Sequence, residues 1–107
     1  MGEVVNPEQS DIWWYESEET KSRPVLVVTR NEVIPGLRRI MVAPVTRTIR
    51  GLPTEVHLGT EDGLVQPCVA SFDNLQVVLK SNLTQRVGTI AHRRYEICAA
   101  LNAVADC

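Results

Sequence analysis

Residues 21–30, KSRPVLVVTR, combine a cationic entrance with an almost uninterrupted apolar run. PVLVVT at 24–29 is short and rich in β-branched residues, which predicts a strand that is covered on both faces. Arg23 stands directly before a proline, and a proline favours extended geometry in the residue that precedes it. The segment therefore predicts the central strand of a sheet, with a positioned cation at its entrance.

Short apolar runs separated by turn residues continue on both sides of this strand. Helical spacing of apolar residues, without Gly or Pro, predicts one helix at 91–105. Strands that come first and a helix that comes last favour a mainly β fold, a small curved antiparallel barrel capped by a C-terminal helix. The other predicted strands lie at 11–15, 38–46, 54–58, within 68–80 and at 86–90.

The length and composition fit one compact domain. The chain has 107 residues, of which 44% are hydrophobic and 22% charged, and this is enough for a single core. Residues 1–10 are polar, contain Pro7 and lack periodicity, so we expect a loosely ordered leader before a single domain at 11–107. No apolar run approaches the roughly 20 residues that a membrane helix needs.

The cysteines and histidines predict neither disulfides nor a metal site. Cys68, Cys98 and Cys107 are odd in number and lack C-x-x-C spacing, and the N-terminus MGEVVNPEQS does not resemble a signal peptide. A reduced, cytoplasmic protein is therefore expected. His57 and His92 stand far apart without Cys or Asp at ligand spacing, so we interpret both as structural and expect no metal ion or other cofactor.

Charge is unevenly distributed along the chain, although the net charge is only -2. Residues 1–19 carry acids and no base, whereas residues 20–50 carry one acid, Glu32, among many bases. These bases are Lys21, Arg23, Arg30, Arg38, Arg39, Arg47 and Arg50. A basic middle suits a polyanion-binding face, but two oppositely charged solvated surfaces would give the same pattern, so charge alone does not decide.

Two segments carry groups that suit a phosphate. The Arg23 guanidinium offers a planar fork of donors that stays protonated, although a surface ion pair with Glu18 or Glu19 would be the more ordinary arrangement. The segment APVTRT at 43–48 ends a predicted strand in hydroxyl and guanidinium groups, which either converge on a ligand or form a solvated turn. Its candidate residues, with the base that follows, are Thr46, Arg47, Thr48 and Arg50.

Polar and aromatic residues elsewhere have the chemistry to contact bases. Asp73, Asn74 and Gln76 interrupt an apolar region, and amide groups can read base edges, but a turn between two strands would also use such residues. The aromatic run WWY at 13–15 could stack on bases, although packing in the core is favoured. No Ser-His-Asp arrangement, phosphate loop or close pair of carboxylates is evident in the sequence.

Four sequence blocks stand in order between Asp11 and Ala105. They are DIWW, KSRPVLVVTR, VAPVTRTIRGLPTEV, and PCVASFDNLQVV followed by LTQRVGTI. Together they resemble the MazF/PemK family of toxin endoribonucleases, the mRNA interferases of bacterial toxin-antitoxin systems, and most closely the type found in mycobacteria. The resemblance implies an SH3-like barrel that acts as a cytoplasmic homodimer on single-stranded RNA and is neutralised by a small acidic, MazE-like antitoxin.

The same resemblance implies roles for individual residues. Arg23 and Thr46 would be the catalytic pair, and Asp73 and Asn74 stand at a position that holds RNA in the family. From the residues themselves, Glu19 is a candidate for the general base, and the other predicted RNA-binding residues are Lys21, Arg47, Thr48, Arg50 and Gln76. The family's chemistry needs no metal: the ribose 2′-hydroxyl attacks the adjacent phosphorus and gives a 2′,3′-cyclic phosphate and a 5′-hydroxyl end.

The chain departs from the family pattern at two places. Gln9 and Ser10 stand where members usually have Arg-Gly, and the loop at 16–22, which borders the RNA groove in the family, is shorter than in many members. Two alternatives stay open: a non-enzymatic, CcdB-like toxin of the same fold that binds a protein such as DNA gyrase, and an RNA-binding barrel without cleavage. Arg23 and Thr46 together argue against the CcdB-like alternative, because binding a protein target needs no phosphate-directed pair.

Overall fold

A computed structural model describes residues 6–19 and 21–105 of the protein. In these ranges the chain forms one α-helix, α1 at Arg94–Val104, and no helix there is long and apolar enough to span a membrane. The strands, in chain order, are β1 Asp11–Tyr15, β2 Arg23–Val27, β3 Arg39–Thr46, β4 Glu55–Leu58, β5 Cys68–Ser71, β6 Gln76–Leu79 and β7 Leu83–Thr89. The mainly β fold with a C-terminal helix that the sequence predicts is confirmed.

The strands of the described residues form one antiparallel sheet in the order β4-β5-β3-β2-β1-β7, and β6 pairs with β3 beside this path. The sheet curls at β3, because the two ends of this strand pair with different partners. Its first part, from Arg39 to Val42, pairs with β6, whereas Val45 and Thr46 at its end pair with β5. The result is a half-barrel, in which the end of β3 is held between β2 and β5.

β2 lies between two hydrophobic clusters, which explains its nearly uninterrupted apolar sequence. Leu26 packs into one cluster together with Ile97 of α1, and Val25 packs into the other together with Ile40 of β3. Both faces of the strand are therefore buried, as predicted. Burial of each such side chain contributes about 1.5 to 3 kcal/mol, so the backbone that carries Arg23 is held from both sides.

Two predicted boundaries shift in the second half of the chain. The helix begins only at Arg94 instead of residue 91, because residues 91–93 form a 3-10 turn in which Arg93 N donates to Ile90 O. Residues 81–85 are predicted as a loop, yet β7 already begins at Leu83. The backbone of β1 pairs with this segment, and backbone pairing cannot be predicted from the spacing of apolar side chains.

The described end of the predicted leader is held against the sheet. Ser10 is buried, and its N–H donates to Val27 O at 3.0 Å. The side-chain oxygen of Gln9 accepts a hydrogen bond from Arg94 Nε at 2.6 Å. These bonds differ from the expected loose order, because they link the segment before β1 to both β2 and α1. The leader's first part, residues 1–5, lies outside the described residues, and the domain boundary itself stays a prediction.

Candidate active site

Arg23 and Thr46 lie at facing ends of two paired strands. Arg23 is the first residue of β2, and Thr46 is the last residue of β3. The two strands run antiparallel, with Val25 facing Pro44. Continuing this register by two residues sets Arg23 opposite Thr46, at the close spacing of antiparallel neighbours. The sheet therefore brings the two predicted catalytic residues together.

Two cavities open beside this pair. The larger one, here the apolar cavity, has a volume of about 850 Å³, and the smaller one, the polar cavity, about 320 Å³. Arg23, Thr46 and Thr48 line both cavities and therefore lie between them. The apolar cavity takes its apolar walls from Trp14, Pro24, Val45, Leu64, Val65 and Val87.

The predicted RNA-binding residues all lie on these two cavities. Lys21 and Arg47 line the apolar cavity, and Thr48 lines both. The polar cavity is lined by Arg50, Asp73, Asn74 and Gln76, among others. Residues from distant parts of the sequence thus form one continuous surface around Arg23 and Thr46. Their contact with RNA stays a prediction.

The donor groups of the Arg23 side chain have no partner in the part of the chain that the structure describes. Within residues 6–19 and 21–105, this side chain forms neither an ion pair nor a hydrogen bond. The ion pair with Glu18 or Glu19 that would explain a surface arginine is therefore not formed among these residues. Glu19 instead faces a different hollow, beside Tyr15 and Val77, so the structure does not place it as a general base for this site.

The Thr46 hydroxyl keeps a proton to donate. Its oxygen accepts a hydrogen bond from Thr48 N at 3.2 Å. A hydroxyl group has one donor hydrogen and two acceptor lone pairs, so this bond leaves the hydrogen available. Thr46 can therefore donate to an oxygen atom bound between the two cavities.

The polar cavity combines two bases, Arg23 and Arg50, with acids and amides. Asp73 Oδ2 accepts a hydrogen bond from Thr54 Oγ1 at 2.6 Å, and Asn74 Nδ2 donates to Ser71 Oγ at 2.9 Å. Residues 72–74 form the 3-10 turn between β5 and β6, so the turn that could explain these polar residues does exist. The same turn directs Asp73 and Asn74 to the cavity wall.

The described residues that line the two cavities offer neither a cluster of metal ligands nor a reactive cysteine. No group of three or more His, Cys, Asp or Glu side chains in the described part of the chain could hold a metal ion. Cys68 lines the apolar cavity, but burial raises the pKa of its thiol, and the charge of Asp62 raises it further while Arg47 lowers it. The thiol is therefore protonated at neutral pH and a weak nucleophile.

The chain also matches a known family over nearly its whole length. Residues 8–104 match a family described as PemK-like, MazF-like toxin of type II toxin-antitoxin system. The chain belongs to this family. The resemblance seen in the four sequence blocks is confirmed by this match.

Several MazF-like relatives come from Mycobacterium tuberculosis. A protein of strain H37Rv named "Probable endoribonuclease MazF5" is 40% identical over an alignment of 103 residues that covers 94% of each chain. The solved Mycobacterium tuberculosis toxin MazF-mt6 has a TM-score of 0.81 at 37% identity, over 90% of this chain and 96% of that one. An endoribonuclease from a mycobacterial species, solved with its cognate antitoxin, shares the fold at a TM-score of 0.80 and 22% identity, over 94% and 95% of the two chains.

Two residues of this MazF-like surface were not singled out by their sequence pattern. Trp14 lines the apolar cavity, whereas its neighbour Trp13 is buried in the core. Alternation along β1 predicts that the two differ but not which of them faces outward. Glu55 lines the polar cavity and binds the backbone of the preceding loop. The sequence predicts only that its side chain alternates with Val56.

Proposed function

We propose that this MazF-like toxin is an endoribonuclease that cleaves single-stranded RNA between the two cavities. The observation that carries the proposal is the Arg23 and Thr46 pair, which lies at the strand ends and whose side-chain donors have no partner among residues 6–19 and 21–105. Cations on both sides would hold the phosphates of a strand that crosses this surface. The family and the names of the mycobacterial relatives support the same activity.

The proposed reaction transfers phosphorus between two ribose oxygens. The 2′ oxygen loses its proton and bonds to the adjacent phosphorus, while the bond from phosphorus to the 5′ oxygen of the next nucleotide breaks. That 5′ oxygen gains a proton as it leaves. The products are a 2′,3′-cyclic phosphate and a 5′-hydroxyl end, and no metal ion or other cofactor takes part in the proposed steps.

Arg23 and Thr46 would stabilise the charge that develops on the phosphoryl oxygens. A guanidinium that is already in place needs little reorganisation when this charge appears. The Thr46 hydroxyl adds one hydrogen bond to the same oxygens, and a bond to a charged partner contributes about 1.5 to 3 kcal/mol. Because β2 is buried on both faces, Arg23 starts from a fixed backbone.

The two cavities would hold the nucleotides on either side of the cleaved bond. Lys21 and Arg47 contact phosphates at the apolar cavity, and Arg50 does so at the polar cavity. At the polar cavity, Gln76 has an amide that can read the edge of an unstacked base. Asp73 and Asn74 help to hold the same nucleotide.

The proposed partners follow from this basic surface. A small acidic, MazE-like antitoxin would neutralise the toxin by covering Arg47 and Arg50, which are both exposed. The protein would act in the cytoplasm as a homodimer, so that a groove shared between subunits contacts more nucleotides than one chain could. A mycobacterial endoribonuclease of the same fold was solved with its cognate antitoxin, which supports an antitoxin as the partner.

The alternative, a CcdB-like toxin without catalysis that binds a protein such as DNA gyrase, is less well supported. It needs no phosphate-directed pair at the strand ends, and the relatives are named as endoribonucleases. An RNA-binding barrel without cleavage is the other alternative. All three functions differ in what happens to RNA.

The test is incubation of the purified protein with a long single-stranded RNA in the presence of EDTA. We expect fragments with 2′,3′-cyclic phosphate and 5′-hydroxyl ends, and sequencing of these ends gives the recognised sequence. Intact RNA that stays bound would replace the enzyme by an RNA-binding barrel. Intact RNA that does not bind would favour the CcdB-like alternative, and cleavage only without EDTA would contradict the metal-free reaction.

A further inference from the structure

The loop before β4, residues 47–53, carries side chains from both cavities and is here named the basic loop. We propose that Glu55 is a positioning residue that fixes this loop in the shape that presents Thr48 and Arg50 to RNA. The part of this proposal that concerns RNA rests on the proposed function. The part that concerns the shape of the loop rests on contacts within the chain.

The Glu55 carboxylate accepts hydrogen bonds from three successive backbone N–H groups of the basic loop. Gly51 N donates to Oε1 at 2.9 Å, and Arg50 N and Leu52 N donate to the same oxygen at 3.2 Å. The N–H of Glu55 in turn donates to Leu52 O at 3.1 Å. Glu55 is the first residue of β4 and pairs with Ser71 of β5. The sheet therefore holds the loop through one side chain.

Backbone geometry explains how three N–H groups reach one carboxylate. Gly51 has a φ of 72°, in the left-handed region that other residues enter only with strain. Successive N–H groups in such a turn form a concave site for an anion. In this protein the anion is the chain's own carboxylate, so the site is filled before any ligand arrives.

The carboxylate is ionised at neutral pH. Partial desolvation raises the pKa of Glu55, but the hydrogen bonds from Leu52, Arg50 and Gly51 together with the nearby His57 lower it below its ordinary value of 4.5. Hydrogen bonds to an ionised acceptor are roughly twice as strong as neutral ones. The bonds to the basic loop are therefore of the stronger kind.

Few other contacts fix the loop. Residues 47–53 are all exposed, and among the described residues the hydrogen bond that the loop makes besides those with Glu55 joins Thr48 N to Thr46 Oγ1 of β3. Thr48 and Arg50 nevertheless line the polar cavity beside Arg23. Their placement there depends on Glu55, because the loop has almost no buried side chain of its own to hold it.

The change Glu55→Gln separates positioning from electrostatics. It keeps the shape of the side chain but removes a negative charge from a surface that contacts phosphates. Coulomb attraction alone then predicts tighter RNA binding, whereas loss of the loop geometry predicts weaker binding. Glu32→Gln is the matched control, because Glu32 is an exposed acid on neither cavity.

Two measurements on the full-length protein test the proposal. Trypsin cuts after arginine, so release of the fragment that ends at Arg50, followed by mass spectrometry, reports the mobility of the loop. We expect this cut to be about tenfold faster in Glu55→Gln than in wild type. Binding to a 2′-O-methylated RNA, which lacks the attacking hydroxyl, should weaken about tenfold in Glu55→Gln. Glu32→Gln should change neither value.

A failure of this proposal can be distinguished from a failure of the proposed function. If wild-type protein neither binds nor cleaves RNA, the proposed function fails, and the trypsin comparison alone decides whether Glu55 fixes the loop. Unchanged cutting after Arg50 in Glu55→Gln would overturn the proposal. Tighter RNA binding by this variant would also overturn it, since removal of the negative charge would then outweigh any loss of the loop geometry.

Discussion

Arg93, just before α1, and Arg23, at the start of β2, carry the same guanidinium group in opposite surroundings. Arg93 donates to the Asp62 carboxylate, to Glu96 Oε2 at 2.6 Å and to His57 O. The side chain of Arg23 has no such partner in the described residues. An arginine whose donors are all used holds elements of the fold together, whereas one whose donors are free is available to a ligand.

The contacts of Arg93 also shape the candidate site from a distance. Asp62 stands in the turn that leads to Gly63 and Leu64, which line the apolar cavity. The backbone at Asp62 packs so closely against Gly88 that a Cβ on Gly88 would collide with Asp62 O. An ion pair and close backbone packing therefore hold the wall of the apolar cavity at Gly63 and Leu64, whereas the carboxylate of Glu55 holds the basic loop.

The comparison of Arg23 with Arg93 predicts its largest effect on catalysis, when Arg23 is removed. Arg23→Ala should lower the RNA cleavage rate roughly 100- to 1,000-fold, because it removes a donor fixed for the developing charge. The free energy of unfolding should change by less than about 1 kcal/mol, since the side chain is not fully buried and has no hydrogen bond or ion pair to lose among the described residues. Single-turnover cleavage and urea titration measure the two quantities.

The control for this variant is Arg30→Ala, because Arg30 is exposed and lines neither cavity. It should cleave RNA like wild type. Equal losses of cleavage in the two variants would mean that Arg23 acts only through the total charge.

The second expected effect is on stability. Arg93→Ala leaves the carboxylate of Asp62, whose side chain is 1% exposed, without its ion pair, and such a loss costs roughly 3 kcal/mol. Urea titration should detect it. Arg94→Ala removes an exposed hydrogen bond to Gln9 and should cost less than about 1 kcal/mol. Similar losses in both variants would show that the buried ion pair has no special weight.

The smallest expected effect is on the pH dependence of stability. The hydrogen bond from Arg93 lowers the pKa of Glu96 below its ordinary value of 4.5, although desolvation raises it. Glu96 therefore stabilises the fold above pH 4.5, and this contribution disappears as the pH falls through the lowered pKa. Partial exposure limits it to less than about 1 kcal/mol.

Urea titrations between pH 6 and pH 3 test this sign. The variant Glu96→Gln should lose less stability than wild type over the acid range, whereas Glu61→Gln, at an exposed acid, should follow wild type. A steeper loss in Glu96→Gln would contradict the assignment.

The parts of the fold that were predictable are those in which the pattern of apolar side chains indicates which faces are buried. β2 shows burial on both faces through its apolar run, and α1 shows its buried side through helical spacing. The start of β7 and the turn at Ser10 are instead held by backbone hydrogen bonds. A polar sequence gives no sign of such bonds, so the sequence predicts a loop at 81–85 and a loosely ordered leader at Ser10.

The candidate site divides in the same way. The positions of Arg23 and Thr46 at strand ends were predictable, because the apolar pattern defines the strands, whereas their role as a catalytic pair is implied by the family resemblance and stays a prediction. Glu55 was not predictable, because its contacts depend on the left-handed conformation of Gly51. Trp14 was not, because alternation along β1 is compatible with either tryptophan facing outward.

The strand pairings also differ in the length of chain that each one closes. β2 and β3 are neighbours in the sequence, so bringing them together closes a short loop, whereas pairing β1 with β7 sets Asp11 against Thr89 and closes almost the whole chain. Loop closure costs more entropy as the loop lengthens. Pairing the strands that carry Arg23 and Thr46 thus costs less loop-closure entropy than the pairing of β1 with β7, which brings Val87 to the wall of the apolar cavity.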